Sequence, residues 1–210
     1  MNNTIKKEII NEYRKLDSCT ISDAFDKLKI GQGGYISPTQ MNNNTKICGQ
    51  AYTVRYLPKI ENTSAFGNFL DEIQEGSIVV IDNQGRKDGS VWGDTMALYA
   101  QKKGVGGTVI NGVYRDVGTI QNLGYPVFAK GYSIKSGKDL VGVDATNIPI
   151  QVDDVLIEPG DLIFGDESGV IVIPYSYAKE ILGEAKKIKV KDDRLIENLN
   201  AGSSYKEAKN

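Results

Sequence analysis

Histidine is absent from all 210 residues of this chain. That absence excludes a Ser-His-Asp triad, a Cys-His nucleophile pair and a histidine-ligated zinc site. Proton transfer falls to Asp, Glu, Lys, Tyr or bound water. Any metal would be held mainly through oxygen, which favours Mg²⁺, Mn²⁺ or Ca²⁺. Cysteine is scarce: Cys19 and Cys48 are the only 2, supply no disulfide framework, and read as reduced cytosolic thiols. A basic excess is missing as well. The formal net charge is −2 and the isoelectric point about 5.3, so no binding to nucleic acid through its phosphates is expected. No apolar run approaches the roughly 18–20 residues of a membrane span. The opening MNNTIKKEIINEYRK has no signal-like core. A soluble cytoplasmic protein without a membrane partner is the expectation.

What is present reads as globular and turn-rich, with 40% hydrophobic residues and 23 Gly. The length fits one domain. A single α/β domain with terminal helices is expected over residues 1–199, and a frayed tail over 200–210. Ile5, Ile9 and Ile10 stand at helical spacing within 4–15, and Thr20 and Asp23 resemble a capping box opening a helix over 20–29. Residues 31–44 are polar and read as a loop. GQAYTVRY at 49–56 alternates like a half-buried strand. Phe66, Phe69, Leu70 and Ile73 form an apolar stripe that predicts a helix over 62–75, ended by Gly76. SIVVID at 77–82 reads as a strand buried on both faces.

A glycine-rich loop at 83–93 comes next. The pattern then predicts a helix over 95–103, a strand over 107–111, a helix over 117–123 ended by Gly124, and a strand over 126–130. That order, β-α-β-α-β, argues for parallel strands with helices between them. From 131 to 174 the chain changes to short, turn-separated and antiparallel strands, among them 154–157, 161–164 and 170–173. A long amphipathic helix rich in Lys and Glu follows over 175–199.

The stretch WGDTMALYAQKKGVGGTVINGVYRD carries the chemistry. Asp94, Arg115 and Asp116 fall at expected ends of secondary elements, and open α/β sheets bind ligands beyond the carboxyl ends of their strands. Each residue also has an ordinary role open to it. Asp94 could cap the helix at 95–103, Asp116 the helix at 117–123, and Arg115 could sit in a surface ion pair. Taken together, two carboxylates can hold a hard divalent cation through oxygen or water. A guanidinium can grip a carboxylate and a neighbouring oxyanion. The set suits a small 2-oxo acid whose enolate must be stabilised. Amides of Thr95 and Met96 at the helix start could bind its carboxylate.

Other signals are weaker. GRKDG at 85–89 lacks the order of a phosphate-binding loop, and GVGG at 104–107 precedes a strand rather than following one. Lys130 at a strand end could be a Schiff-base lysine or a surface lysine.

GQAYTV, SIVVID, WGDTMA, GVGGTVINGVYRD and GDESGVIVIP resemble the family of the regulator of ribonuclease activity A, which includes the 4-hydroxy-4-methyl-2-oxoglutarate aldolases. The likeness extends over about residues 20–174. It implies an α/β/α sandwich like the swivelling phosphohistidine domain, with helical appendages at both ends, assembled as a homotrimer or hexamer. It also implies divalent-metal-dependent cleavage of 4-hydroxy-2-oxo acids to pyruvate, with oxaloacetate decarboxylation as a side reaction. By that resemblance Asp116 and Asp94 would hold Mg²⁺ or Mn²⁺, partly through water. Arg115 would contact the 2-oxo group and stabilise the enolate. Gly93 and the amides of Thr95 and Met96 would receive the pyruvyl carboxylate. Asn111 stands where the family's stretch is expected to carry Asp.

Two other functions attach to the same resemblance. The namesake inhibits a ribonuclease by contact, so a protein-binding regulator can share the fold; the presence of both acids and the arginine favours the enzyme. A methyltransferase, the older label of some members, would need a glycine-rich nucleotide loop that the chain lacks.

Overall fold

The isoleucine spacing near the amino terminus is realised as two helices, α1 (Lys7–Tyr13) and α2 (Ser18–Leu28). The computed structural model describes residues 4–40, 46–59 and 66–209. Thr20 does not cap α2. Asp17 does, accepting from the Thr20 amide at 2.8 Å and the Thr20 hydroxyl at 2.9 Å, so the helix begins earlier than the Thr20–Asp23 spacing suggested.

The stretch read as a loop holds two short strands, β1 (Gly34–Ile36) and β2 (Thr39–Gln40), while its residues 41–44 lie outside the described ones. The alternating strand is longer than its pattern: β3 runs Ile47–Pro58. Of the helix expected over 62–75, residues 62–65 lie outside the described residues, and the remainder is a 3-10 turn, Asn68–Glu72. Gly67, left-handed at φ +81°, and Ile73, extended, bound it.

Then come β4 (Ile78–Arg86), α3 (Asp94–Lys102), β5 (Gly107–Gly112), α4 (Val117–Leu123) and β6 (Val127–Ala129). The β-rich segment supplies β7 (Val141–Thr146), β8 (Ile150–Val152), β9 (Val155–Ile157), β10 (Leu162–Asp166) and β11 (Gly169–Ile173). After a 3-10 turn at Tyr175–Tyr177 the long helix α5 runs Ala178–Asn200. The tail is not frayed as expected. It forms α6 (Tyr205–Ala208), closed by a Ser204–Glu207 capping box and anchored by the buried Ala208.

β3, β4, β5 and β6 pair in parallel, as the β-α-β-α-β order requires. The later strands pair antiparallel: β7 and β10 with β3, β8 with β9, and β10 with β11. Alternate residues of the parallel strands enter two cores. Val54, Val79, Ile81, Ile110 and Val127 face α3, α4 and the Asn68–Glu72 turn. Ala51, Ile78, Val80, Val109 and Phe128 face the β8–β9 hairpin and one side of β10 and β11. The other side of β10 and β11, through Leu162, Phe164, Ile171 and Ile173, carries α1, α2 and α5. The fold is mixed α/β, with strands folded over one another between two groups of helices.

Asp166 ties the third core together. It is buried, accepts from the Ser18 amide at 2.8 Å and hydroxyl at 2.7 Å, and accepts from the Ser168 amide at 3.0 Å. It thereby fastens the positive end of α2 to the β10–β11 turn. Asp166→Ala leaves three donors short of their partner and should cost about 3 kcal/mol. Urea unfolding at neutral pH measures this; a loss under about 1 kcal/mol would show that the tether is dispensable.

Candidate active site

β5 ends at Gly112, and the chain runs on through Val113 and Tyr114 to Arg115 and Asp116 without an intervening helix. Two backbone bonds stitch this segment to the residues before α3. Val91 N–H donates to Val113 O at 3.2 Å, and Arg115 N–H donates to Trp92 O at 3.0 Å. Trp92 and Tyr114 are buried in the core facing α3 and α4, so both segments rest on packed side chains. Gly93, Asp94, Arg115 and Asp116 are thereby gathered at the first turn of α3.

Asp116 is the hub. Its Oδ2 accepts from Arg115 Nε at 3.2 Å and from the Asp94 amide at 3.2 Å. Its carboxylate makes no cap bond to α4, contrary to the capping alternative, although its backbone occupies the cap position at φ +58° and its carbonyl accepts from Ile120 at 3.0 Å. Asp94 is no cap either. Gly93 holds that position, and Asp94 is the first residue of α3, with Oδ1 accepting from the Thr95 amide at 2.7 Å and hydroxyl at 3.2 Å. Thr95 N–H, expected to face a ligand carboxylate, is therefore turned to Asp94. Met96 N–H lies in the first turn, where no carbonyl four residues back within the helix can reach it.

Gly93 is needed for space, since its backbone is extended. A Cβ there would stand 2.8 Å from Asp116 Oδ2 and 3.4 Å from Arg115 Nε. Any larger residue would push the hub off the helix start.

Among the described residues no hydrogen bond engages Asp116 Oδ1, Asp94 Oδ2 or the terminal nitrogens of Arg115. No group of three or more His, Cys, Asp or Glu is placed to hold a metal among them. A hard cation that keeps most of its waters needs only one or two carboxylates. The free oxygens of Asp94 and Asp116 fit that requirement; they do not fit a fully protein-ligated ion.

The other sequence candidates sit elsewhere. Lys130 is ion-paired to Asp153 at 2.7 Å, and Asp153 also accepts from the Ser37 amide at 2.7 Å, so the lysine holds the β8–β9 turn. In the GRKDG loop Arg86 forks onto Asp88 at 3.1 and 2.7 Å, which ties up one of the loop's two cations. Asn111 is buried and donates to Asp82 Oδ1 at 2.9 Å on the strand beside it, away from the Asp116 hub. Phe66 and Leu70 read only as part of an apolar helical stripe, and Leu98 and Tyr99 carry no signal of their own; nothing in the sequence shows that the four line a groove reaching Thr95 and Met96.

A family model described as RraA-like, Aldolase/RraA, matches residues 18–172. Protein DlpA of Legionella pneumophila is 35% identical over 204 residues, which are 96% of this chain; the chain spans 33% of DlpA's length. A Halalkalibacterium halodurans protein named "Putative 4-hydroxy-4-methyl-2-oxoglutarate aldolase" is 32% identical over 95% of this chain and 94% of its own. A Pseudomonas syringae crystal structure superposes with a TM-score of 0.91 at 35% identity, covering 99% of both chains. Streptomyces coelicolor RraAS2, described as an unusual member of the RNase ES inhibitor RraA protein family, superposes with a TM-score of 0.82 at 27% identity, over 95% of this chain and 98% of that one. The segment from α2 to β11 that builds the hub is the segment the family model spans, and the chain belongs to the RraA-like family.

Proposed function

We propose that this chain is a divalent-metal-dependent lyase that cleaves 4-hydroxy-2-oxo acids to pyruvate and also decarboxylates oxaloacetate. One observation carries the reading: Asp116 Oδ2 is bonded to both Arg115 Nε and the Asp94 amide, which gathers a guanidinium and two acidic residues at one helix start. The aldolase name of the H. halodurans relative supports it. A contact inhibitor of a ribonuclease would have no need of that convergence.

Both reactions leave the same product-forming species, a pyruvate enolate. In the retro-aldol step the C3–C4 bond breaks and its electron pair passes toward the 2-oxygen. In the decarboxylation CO₂ departs and leaves the pair in the same place. The chain's task is to hold that charge. Arg115 directs its free terminal nitrogens at the 2-oxygen, while its Nε stays fixed on Asp116. The Met96 amide receives the 1-carboxylate at the positive end of α3. Mg²⁺ or Mn²⁺ held by Asp94 and Asp116, mostly through water, would supply Lewis-acid charge at the same oxygen. A water on Asp94, whose Oδ2 has no hydrogen-bond partner among the described residues, is the group offered to move the proton of the 4-hydroxyl. Decarboxylation needs no such base.

Oxaloacetate decarboxylation by the pure protein should require Mg²⁺ or Mn²⁺ and vanish after exhaustive EDTA treatment. Pyruvate release at an undiminished rate without metal would remove the cation from the reading.

Arg115→Lys keeps the charge and loses the planar fork. It should lower kcat by about 10²–10³ while circular dichroism stays unchanged. Turnover near that of the parent would return Arg115 to a surface role.

Asp116→Asn separates charge from conformation. Asparagine accepts the left-handed backbone and no cap bond is lost. The metal-free melting temperature should hold, while activity or metal affinity falls about 10–100-fold. Unchanged metal dependence and turnover would leave Asp116 with no part in the chemistry.

A further inference from the structure

Thr95 and Met96 belong both to the first turn of α3 and to the wall of a groove of about 550 Å³. Its opposite wall is the Asn68–Glu72 turn with Phe66 and Gly67 before it. The groove is pinned shut at one end. Lys103 Nζ donates to the Leu70 and Asp71 carbonyls at 3.0 and 2.6 Å, and Tyr99 OH donates to the Asp71 carboxylate. No such bond closes the other end among the described residues. There Gly67 packs toward Met96, whose Cε would lie 3.9 Å from a Cβ on the glycine. The groove and the Asp116 hub thus share the first turn of α3.

The lining is mainly apolar: Phe66, Leu70, Met96 and Leu98. Its charged members are badly placed for a second acid. Asp71 is held by Tyr99. Lys102 stands seven residues beyond Thr95, roughly 10 Å along the helix axis. A carboxylate on C4, held near Thr95 and Met96, would meet hydrocarbon first, since Lys102, the cation in the lining, is rooted toward the far end of the groove. A space of this size exceeds what a methyl group or a carboxylate fills and is in the range that holds a whole small ligand.

We propose that this groove is the subsite for the C4 substituent, and that the substrates are 4-hydroxy-2-oxo acids bearing an apolar alkyl or aryl group there, not a second carboxylate. The inference rests on the lyase reading above. For R–CH(OH)–CH₂–CO–COO⁻, the 4-hydroxyl proton passes to a base and the C3–C4 bond breaks. Its electron pair becomes the enolate, and R–CHO forms in the groove. A proton returning to C3 completes pyruvate, so atoms and electrons balance without a further reactant.

The test compares pyruvate release, with Mg²⁺ present, from 4-hydroxy-4-phenyl-2-oxobutanoate and from 4-hydroxy-4-methyl-2-oxoglutarate. The phenyl substrate should have the higher kcat/KM by about tenfold or more, the scale on which an apolar pocket discriminates. Leu98, 41% exposed and outside the hub, is the residue to vary. Leu98→Arg should lower kcat/KM for the phenyl substrate about tenfold and leave oxaloacetate decarboxylation unchanged, whereas Leu98→Met should preserve both. A probe without the 4-hydroxyl, 4-phenyl-2-oxobutanoate, cannot be cleaved and should bind more tightly than 2-oxoglutarate by titration calorimetry. Preference for the diacid, or a Leu98→Arg effect that is absent or equal on phenyl substrate and oxaloacetate, would overturn the groove assignment alone. Failure to release pyruvate from oxaloacetate and from every 4-hydroxy-2-oxo acid would overturn the lyase reading, and the groove assignment with it.

Discussion

A single carboxylate oxygen organises the site. Asp116 Oδ2 takes a guanidinium nitrogen and a helix-start amide at once, and only a glycine at position 93 leaves it room. The energetics argue that this hub is not there for stability. The Arg115–Asp116 pair is 37% and 32% exposed, and ion pairs of that kind contribute about 0–1 kcal/mol. The left-handed backbone of Asp116, at φ +58°, costs about 1 kcal/mol or somewhat more. The two nearly cancel.

The scaffold beneath explains how such a hub keeps its shape. β4 and β5 are buried central strands of the parallel set, and the segments that leave them are bonded backbone to backbone at Val91–Val113 and Trp92–Arg115. Trp92 stacks on Tyr125 at 6.1 Å between ring centroids, so the loop before α3 is packed as well as hydrogen-bonded. Sites held by rigid elements keep charged groups aligned without reorganising when a substrate arrives.

The same fold serves proteins described in very different terms, an aldolase in one relative and a ribonuclease inhibitor family in another. Architecture alone does not choose between them. The lyase reading proposed above rests on acids and arginine lying together, and on what space lies beside them. Asp116 does bond both Arg115 and the start of α3. The groove along α3 bears on the space beside them, because its apolar wall begins at the residues that would orient the 2-oxo acid.

The sequence by itself determined the parallel core and pointed to the neighbourhood of the candidate site. SIVVID and GTVIN are short apolar runs with glycines at their ends, and strands covered on both faces need that composition. Asp94, Arg115 and Asp116 were legible because they sit at element ends, within segments that match a family. The tertiary structure decided the rest. Gly67 and Ile73 cut an apolar stripe down to a 3-10 turn, and Asp17 rather than Thr20 caps α2. Asp116 turned out to bind Arg115 and Asp94 instead of capping α4. The groove needs residues 66–71 beside residues 95–102. Periodicity reports which residues are apolar along one element. It carries no information on which distant element will face them, and the hub and the groove both depend on such meetings.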